Sequence, residues 1–144
     1  AEVFASDIST KALEVAKYNN GKNNTNVRFI ESNLFENIQE QKFNIIVSNP
    51  PYIRSNVINN LPKQVQNEPH LALDGGEDGL KFYKKIIEQA CNYIENGYLI
   101  LEIGYDQKED VENLLKENKN YSEIKTIQDL SGNDRCVIAK VGKI

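Results

Sequence analysis

A nearly continuous run of strand-forming residues, KFNIIVS at Lys42–Ser48, constrains the fold of this chain more than any other feature. A strand that lacks polar alternation is typical of a parallel sheet covered on both faces. The run YLILEI at Tyr98–Ile103 predicts a second buried strand. Parallel sheets of this kind belong to α/β proteins, so the two runs predict helices between the strands.

Strands and helices alternate along the sequence, as the spacing of its apolar residues indicates. The predicted strands are Glu2–Ser6, Asn26–Glu31, Lys42–Ser48, Tyr98–Ile103, Tyr121–Gln128 and Arg135–Val141. The predicted helices are approximately Thr10–Asn20, with Ser9 as its N-cap, Leu80–Ile94 and Gln107–Glu117. The turn-rich segment DLSGND, at Asp129–Asp134, predicts that the last two strands are antiparallel. The order predicts an α/β doubly wound sheet, mostly parallel, with an antiparallel C-terminal hairpin.

Composition and charge argue against several classes of function. The 144 residues suffice for one domain, and the formal net charge is −4. An acidic domain is poorly suited to gripping nucleic acid or an anionic membrane. With one histidine, His70, the chain has little material for a histidine metal site or a Ser/His/Asp triad, and no metal is expected. No run approaches the roughly 20 apolar residues of a membrane span, and the start does not resemble a signal peptide.

Cysteine usage favours a cytoplasmic protein. The chain has two cysteines, Cys91 and Cys136, and no CxxC pair. Two reduced thiols are the expected state, and a single disulfide is the alternative.

The segment Asn49-Pro50-Pro51-Tyr52 directly follows a predicted buried strand, at the edge of the sheet where doubly wound folds bind ligands. Its prolines lack N–H groups and have fixed φ angles, so the turn is rigid and its carbonyl oxygens are free to accept hydrogen bonds. Two acceptors and one aromatic ring suit a planar –C–NH2 group. Holding both hydrogens favours pyramidalisation of a poorly nucleophilic nitrogen by positioning alone. The structural alternative is a Pro-Pro turn that caps the strand, with Asn49 in an Asx turn.

The long segment 49–79 contains all four prolines and three glycines. Connections of this length are usually functional or mobile. We expect Glu68 and Asp74–Gly79 to shape the segment, and His70 to be an ordinary loop residue. Outside it, we expect a structural role for Glu102, with an approach to the ligand-binding edge of the sheet as the alternative, and a bracing role for Arg135 in the C-terminal hairpin.

Six stretches that cover most of the chain carry a family resemblance. They are ASDIS with Ala12 and Leu13, SNLFE at Ser32–Glu36, FNIIVSNPPYI at Phe43–Ile53, EPHLALDGGEDGLKFYKKI at Glu68–Ile86, GYLILEIG at Gly97–Gly104 and DLSGNDRCVIAK at Asp129–Lys140. In this order they resemble the release-factor glutamine methyltransferases (HemK/PrmC), which use S-adenosylmethionine. NPPY alone is shared with adenine-N6 methyltransferases of DNA and RNA, whereas the fourth and sixth stretches are much more specific.

The resemblance implies residues that bind the cofactor. Asp7 matches the acidic residue that accepts hydrogen bonds from the ribose hydroxyls, a suitable task for a carboxylate at the end of a strand. The structural alternative is an acid favoured by a helix dipole. Asn33 stands where the family usually has an aspartate that faces the adenine amine, and its carbonyl oxygen can still accept. Leu34 matches an apolar position of the adenine pocket, and Asn49 also borders the cofactor.

The resemblance also implies the reaction. Asn49, Pro50 and Tyr52 match the catalytic clamp on the substrate amide, and Pro51 belongs to the same substrate-binding segment. The implied activity is methyl transfer from S-adenosylmethionine to the side-chain amide nitrogen of a glutamine in a protein. The implied target is the GGQ motif of peptide-chain release factors.

Two other hypotheses remain open. The first is the same chemistry on adenine in DNA or RNA, which needs a basic surface, whereas segment 49–79 has only Arg54 and Lys63 as cations. The second is a non-catalytic fragment that retains the motif. The acidic net charge favours a protein substrate over nucleic acid.

The start of the chain departs from the family pattern. Catalytic domains of the family begin with a strand and a Gly-rich turn, after a helical N-terminal domain. Only six residues precede Asp7, and the chain has no methionine. We therefore expect residues 1–144 to form a single partial catalytic domain without that helical domain and first strand. If the strands of the family's complete sheet are numbered 1 to 7 along the chain, the expected strand order is 3-2-gap-4-5-7-6, in which the gap is the place of the first strand. This piece alone is expected to lack cofactor binding and activity.

Overall fold

Residues 1–142, described by a computed structural model, contain strands and helices in the predicted alternation. The strands are β1 (Val3–Asp7), β2 (Val27–Glu31), β3 (Phe43–Ser48), β4 (Ile94–Glu102), β5 (Tyr121–Gln128) and β6 (Asp134–Val141). The helices are α1 (Thr10–Lys22), α2 (Lys63–Gln66), α3 (His70–Leu73), α4 (Lys81–Ala90) and α5 (Lys108–Glu117), with a 3-10 turn at Ile58–Asn60. The chain divides into two compact units, Ala1–Gln41 and the part from Lys42 onward.

The first unit is a parallel β-α-β arrangement. Strands β1 and β2 pair in register from Val3 with Val27 to Asp7 with Glu31, so their carboxyl ends lie at one edge. Helix α1 connects them. The hydroxyl of Ser9 accepts a hydrogen bond from the N–H of Ala12 (3.3 Å), which is the N-cap that the sequence predicts.

The second unit contains a four-stranded sheet in the order β3-β4-β6-β5. Strands β3 and β4 are parallel, whereas β6 is antiparallel to both β4 and β5. The antiparallel C-terminal hairpin is therefore confirmed. In the family's strand numbers, β1 and β2 are strands 2 and 3, and β3 to β6 are strands 4 to 7. The observed pairings β2-β1 and β3-β4-β6-β5 are therefore those of the predicted orders 3-2 and 4-5-7-6.

The core of the second unit lies against one face of this sheet. Alternate residues of β4 and β6 are buried with the apolar faces of α4 and α5, because successive side chains of a strand point to opposite faces. The buried residues include Leu99 and Leu101 on β4, Ile103 directly after it, Val137, Ala139 and Val141 on β6, and Tyr83, Ile86, Ile87, Ala90, Val111 and Leu115 on the helices.

The prediction that Lys42–Ser48 is buried on both faces is wrong. Strand β3 lies at the edge of its sheet, and Ile45 and Val47 are 55% and 69% exposed. Their register partners on β4, Tyr98 and Ile100, lie on the same face, and Tyr98 is also exposed. The run Lys42–Ser48 has apolar side chains on both faces of the sheet, and α4 and α5 cover one of these faces.

The predicted end of the helix at Leu80–Ile94 is also wrong. Helix α4 ends at Ala90, where the N–H groups of Asn92 and Tyr93 donate to the carbonyl oxygens three residues earlier and tighten the last turn. The N–H of Phe43 then donates to the carbonyl oxygen of Tyr93 (2.7 Å). Ile94 pairs with Phe43, and β4 begins there instead of at Tyr98.

Candidate functional site

The first group of predicted site residues lies at the carboxyl ends of β1 and β2. Asp7 is exposed, and its Oδ1 accepts a hydrogen bond from the N–H of Ser9 (2.8 Å). Within residues 1–142, its Oδ2 makes no hydrogen bond or ion pair. Asp7 is therefore oriented by the start of α1 and keeps one carboxylate oxygen available to a ligand.

A hydrogen bond between the strand ends brings Asn33 and Leu34 to the same edge as Asp7. The N–H of Ser32 donates to the carbonyl oxygen of Asp7 (3.0 Å). The buried hydroxyl of Ser32 donates to the carbonyl oxygen of Leu34 (2.8 Å), whose φ of 53° is left-handed. Asn33 donates through Nδ2 to Glu36 (2.8 Å). That bond directs the side-chain donor of Asn33 to Glu36 and leaves the side-chain oxygen Oδ1 of Asn33 as an acceptor.

The second group is the segment after β3. Asn49 is exposed and Pro50 is buried. No hydrogen bond within residues 1–142 uses the side-chain amide of Asn49 or the carbonyl oxygen of Pro50. An Asx turn to residue 51 is ruled out because proline has no N–H. The segment thus presents two uncommitted acceptors at the carboxyl end of a strand.

Tyr52 completes this segment with a half-buried ring. Its hydroxyl donates a long hydrogen bond to Glu102 Oε1 at the end of β4 (3.4 Å). Burial, followed by the nearby Glu102 carboxylate, raises the pKa of Tyr52 above its usual value. The phenol is therefore neutral at physiological pH, and Glu102 contacts the candidate site, which the sequence did not establish.

The two arms of segment 49–79 are joined directly after the motif. Ile53 forms a bridge with Asp74: its N–H donates to Leu73 (3.0 Å), and its carbonyl oxygen accepts from Gly75 (2.8 Å). Asp74 Oδ1 accepts from the Ser55 hydroxyl (2.6 Å) and the Gly76 N–H (2.9 Å). These two bonds, the Ser55 bond first, lower the pKa of Asp74. The Asp74–Gly79 run therefore shapes the segment as expected.

Sequence reasoning missed Gln107, which it assigned only to the start of a helix. The side chain is 2% exposed. Its Nε2 donates to the carbonyl oxygens of Tyr52 (3.0 Å) and Gly79 (3.3 Å), and its Oε1 accepts from the N–H of Gly104 (3.0 Å). The available signal was a glutamine at the helix N-cap, where Ser, Thr, Asp or Asn is usual.

Arg135 braces the C-terminal hairpin, as the sequence predicts. Its Nε and NH2 donate to Asp129 Oδ2 (3.2 and 3.1 Å), and its NH1 donates to the carbonyl oxygen of Ile103 (3.2 Å). The turn is thereby tied to the end of β4. His70, predicted to be a loop residue, instead begins the short helix α3; it is exposed, and its Nδ1 lies 3.8 Å from Asp74 Oδ2.

We predict that Asp129→Asn lowers stability in a pH-dependent way. The N–H of Asn133, and after it Arg135 and the N–H of Ser131, lower the pKa of Asp129. A depressed folded-state pKa stabilises the fold above the ordinary carboxyl pKa of about 3.9, and this contribution is lost as the pH falls through the folded-state value. Urea unfolding should give a lower midpoint than the unsubstituted chain at pH 7 and a smaller difference below about pH 4. Glu77→Gln is the control, and a difference that stays constant with pH would contradict the assignment.

Known proteins resemble this chain in sequence and in fold. Residues 1–68 match the family model described as the methyltransferase small domain. A release factor glutamine methyltransferase of Fusobacterium nucleatum is 44% identical over 97% of this chain and 40% of its own length. A ribosomal protein uL3 glutamine methyltransferase of Francisella tularensis is 46% identical over 74% of this chain and 35% of its own length. The crystal structure of a methyltransferase from Pyrococcus furiosus superposes with a TM-score of 0.71, at 24% identity, over 99% of this chain and 64% of that one.

Over nearly all of its length, this chain is similar in sequence to release factor glutamine methyltransferases. Its fold is the Rossmann-like methyltransferase fold. The chain spans about half the length, or less, of the curated relatives that it matches.

The residues of the first unit fit the nucleoside part of S-adenosylmethionine, the family's methyl donor. The available Oδ2 of Asp7 can accept from a ribose hydroxyl, and the carbonyl oxygen of Asn33 can accept from an adenine amine. Leu34 is half-buried and apolar. Among the residues that the structure describes, no group of three or more His, Cys, Asp or Glu could hold a metal ion. Within 1–142, no helix is both long and apolar enough to cross a membrane.

Proposed function

We propose that the protein containing this chain transfers a methyl group from S-adenosylmethionine to the side-chain amide nitrogen of a glutamine in a peptide-chain release factor. The observation that carries the proposal is the Asn49–Tyr52 segment, with two uncommitted acceptors beside a half-buried ring at the carboxyl end of β3. The 44% identity to a release factor glutamine methyltransferase supports it. A release factor substrate is cytoplasmic, and two free cysteines fit that compartment.

The segment acts on the nitrogen by holding its two N–H groups. The side-chain oxygen of Asn49 accepts from one and the carbonyl oxygen of Pro50 from the other, while the ring of Tyr52 stacks on the amide plane. These contacts favour the pyramidal nitrogen of the transition state over the planar ground state, so they raise the rate of the chemical step. Because Tyr52 and Glu102 are hydrogen-bonded, Glu102 keeps the ring in place.

The cofactor supplies an electrophilic methyl group. Asp7 binds the ribose hydroxyls and Asn33 binds the adenine amine, with Leu34 against the ring. An amide of Asn33 makes the adenine contact without charge, where the family usually has a carboxylate.

A protein substrate agrees better with the charges than a nucleic acid does. The formal net charge is −4. Of the two cations in segment 49–79, Arg54 is paired with Asp106 at 2.8 Å. Within that segment, Lys63 is then the remaining cation that could neutralise phosphates. The identity to a uL3 glutamine methyltransferase supports a second candidate, a glutamine of ribosomal protein uL3.

Methylation assays on the intact protein test the proposal. Labelled cofactor is offered with release factor, with the same factor carrying alanine in place of the GGQ glutamine, with uL3 and with adenine-containing oligonucleotides. We expect label in the unmodified release factor alone, and mass spectrometry should place one added methyl group on the glutamine.

Each other outcome has a defined meaning. Label in uL3 but not in release factor would move the substrate to the second candidate. Label only in oligonucleotide, or equal label in the alanine-substituted factor, would overturn the proposal.

A further inference from the structure

Gln107 occupies an unusual place for a polar residue. It is the N-cap of α5, yet its side chain does not cap that helix. Among the residues that the structure describes, Gln107 and Ser32 are the buried polar residues, and Gln107 is the more buried at 2% exposure. Burial of an amide is costly unless its hydrogen bonds are made, so the contacts of this side chain account for its location.

The contacts of Gln107 join three separate segments. Nε2 donates to Tyr52 in the motif and to Gly79 at the end of the long segment, 55 and 28 residues away. Oε1 accepts from the N–H of Gly104 after β4 (3.0 Å). The primary amide has two donor hydrogens and one acceptor oxygen, and all are engaged.

The glycines around Gln107 make this close approach possible. A Cβ at Gly79 would lie 2.6 Å from the carbonyl oxygen of Tyr52 and 2.7 Å from Nε2 of Gln107. A Cβ at Gly104 would lie 2.8 Å from Oε1. The backbones therefore converge on the amide without room for a side chain, and the position of Gln107 is fixed from three directions.

The motif itself has no regular structure beyond β3. Residues 49–52 are neither helix nor strand, and the bridge of Ile53 with Asp74 begins only after them. Strand β3 fixes one end of this short turn. At the other end, the hydrogen bond from Gln107 fixes the carbonyl oxygen of Tyr52, and hence the backbone that carries the ring and follows the carbonyl group of Pro50.

We propose that Gln107 is a positioning residue that holds the Asn49–Tyr52 segment in its amide-binding geometry through the carbonyl oxygen of Tyr52. This inference rests on the proposed function. Gln107 does not touch the substrate amide. Its contribution is to keep the acceptors and the ring aligned, and small misplacements of aligned groups are costly to the rate of a chemical step.

The test compares Gln107→Met and Gln107→Asn with Tyr121→Phe in the intact protein. Methionine preserves length without hydrogen bonds, and asparagine preserves the amide but is too short to reach Tyr52. We expect kcat for release factor methylation to fall by about tenfold or more, with the Kd for the cofactor changed less than about twofold. Hydrogen exchange should accelerate at the N–H groups of Gly104 and Ile53.

Tyr121→Phe is the matched control. The Tyr121 hydroxyl is buried and donates to the carbonyl oxygen of Ile87 (2.6 Å), at the opposite end of β4 from Glu102. This variant also loses a buried hydrogen bond to a carbonyl group, so it reports a general loss of stability. We expect its kcat to stay near that of the unsubstituted protein.

Three results would overturn the inference while leaving the proposed function intact. They are unchanged kcat in Gln107→Asn, an equal loss of kcat in Tyr121→Phe, or a loss that appears in cofactor affinity instead of kcat. If Gln107→Met does not fold, Gln107→Asn and its exchange data decide the matter. If the unsubstituted protein does not methylate release factor, the proposed function is overturned. Hydrogen exchange at Gly104 and Ile53 then still tests whether Gln107 holds the carbonyl oxygen of Tyr52.

Discussion

Replacing Asn49 by alanine is expected to lower kcat for glutamine methylation by about a hundredfold or more. The variant removes one of the two acceptors that hold the amide N–H groups and leaves the backbone of the turn to Pro50 and Pro51. The remaining acceptor cannot hold both hydrogens, so the planar amide keeps its delocalised lone pair. Affinity for the cofactor should change less than about threefold, because the clamp acts on the substrate nitrogen.

Single-turnover methylation of release factor, with cofactor binding measured by calorimetry, separates the two effects. Asn44→Ala is the matched control: Asn44 is an exposed asparagine of β3, the strand that precedes Asn49, and within residues 1–142 its side chain has no hydrogen bond. It should retain full turnover. Unchanged turnover in Asn49→Ala would show that the motif does not hold the substrate amide.

The local elements of this fold could be predicted because their signals are local. Three features depend on neighbouring residues and have the expected structure. They are the N-cap at Ser9, the strand predicted at Asn26–Glu31 and the turn before β6. The burial of β3 could not be predicted in the same way. The strand has apolar side chains on both of its faces, but the sequence does not show which face is covered. Ile45 and Val47 are exposed because the covering helices lie on the other face of the sheet.

The candidate site was predicted unevenly for the same reason. A Pro-Pro turn after a strand is a signal of a few neighbouring residues, so Asn49 to Tyr52 could be selected as candidates from the sequence. Gln107 could not, because its partners lie 28 and 55 residues away and the sequence around it reads as an ordinary helix start. Glu102 likewise contacts Tyr52 only after β3 and β4 have paired.

Asp7→Ala should weaken cofactor binding by roughly tenfold to a hundredfold, the effect expected when hydrogen bonds to a charged acceptor are lost. The carboxylate is held by the N–H of Ser9 with one oxygen available, so a diol ligand meets an acceptor that is already oriented. Asp7→Asn retains one acceptor oxygen and should have an intermediate affinity. The value of kcat at saturating cofactor should change little, since the ribose is remote from the transferred methyl group.

Calorimetry with S-adenosylmethionine and with its 2′-deoxy analogue gives the sharpest measurement of this role. In the unsubstituted protein the deoxy analogue should bind more weakly, and in Asp7→Ala the two ligands should bind alike, because the variant lacks the group that distinguishes them. Glu14→Gln on the exposed face of α1 removes the same charge from the same unit and should preserve the discrimination. If Asp7→Ala still discriminates between the two ligands as strongly as the unsubstituted protein, the carboxylate serves the start of α1 through Ser9 and the ribose contact belongs to another residue.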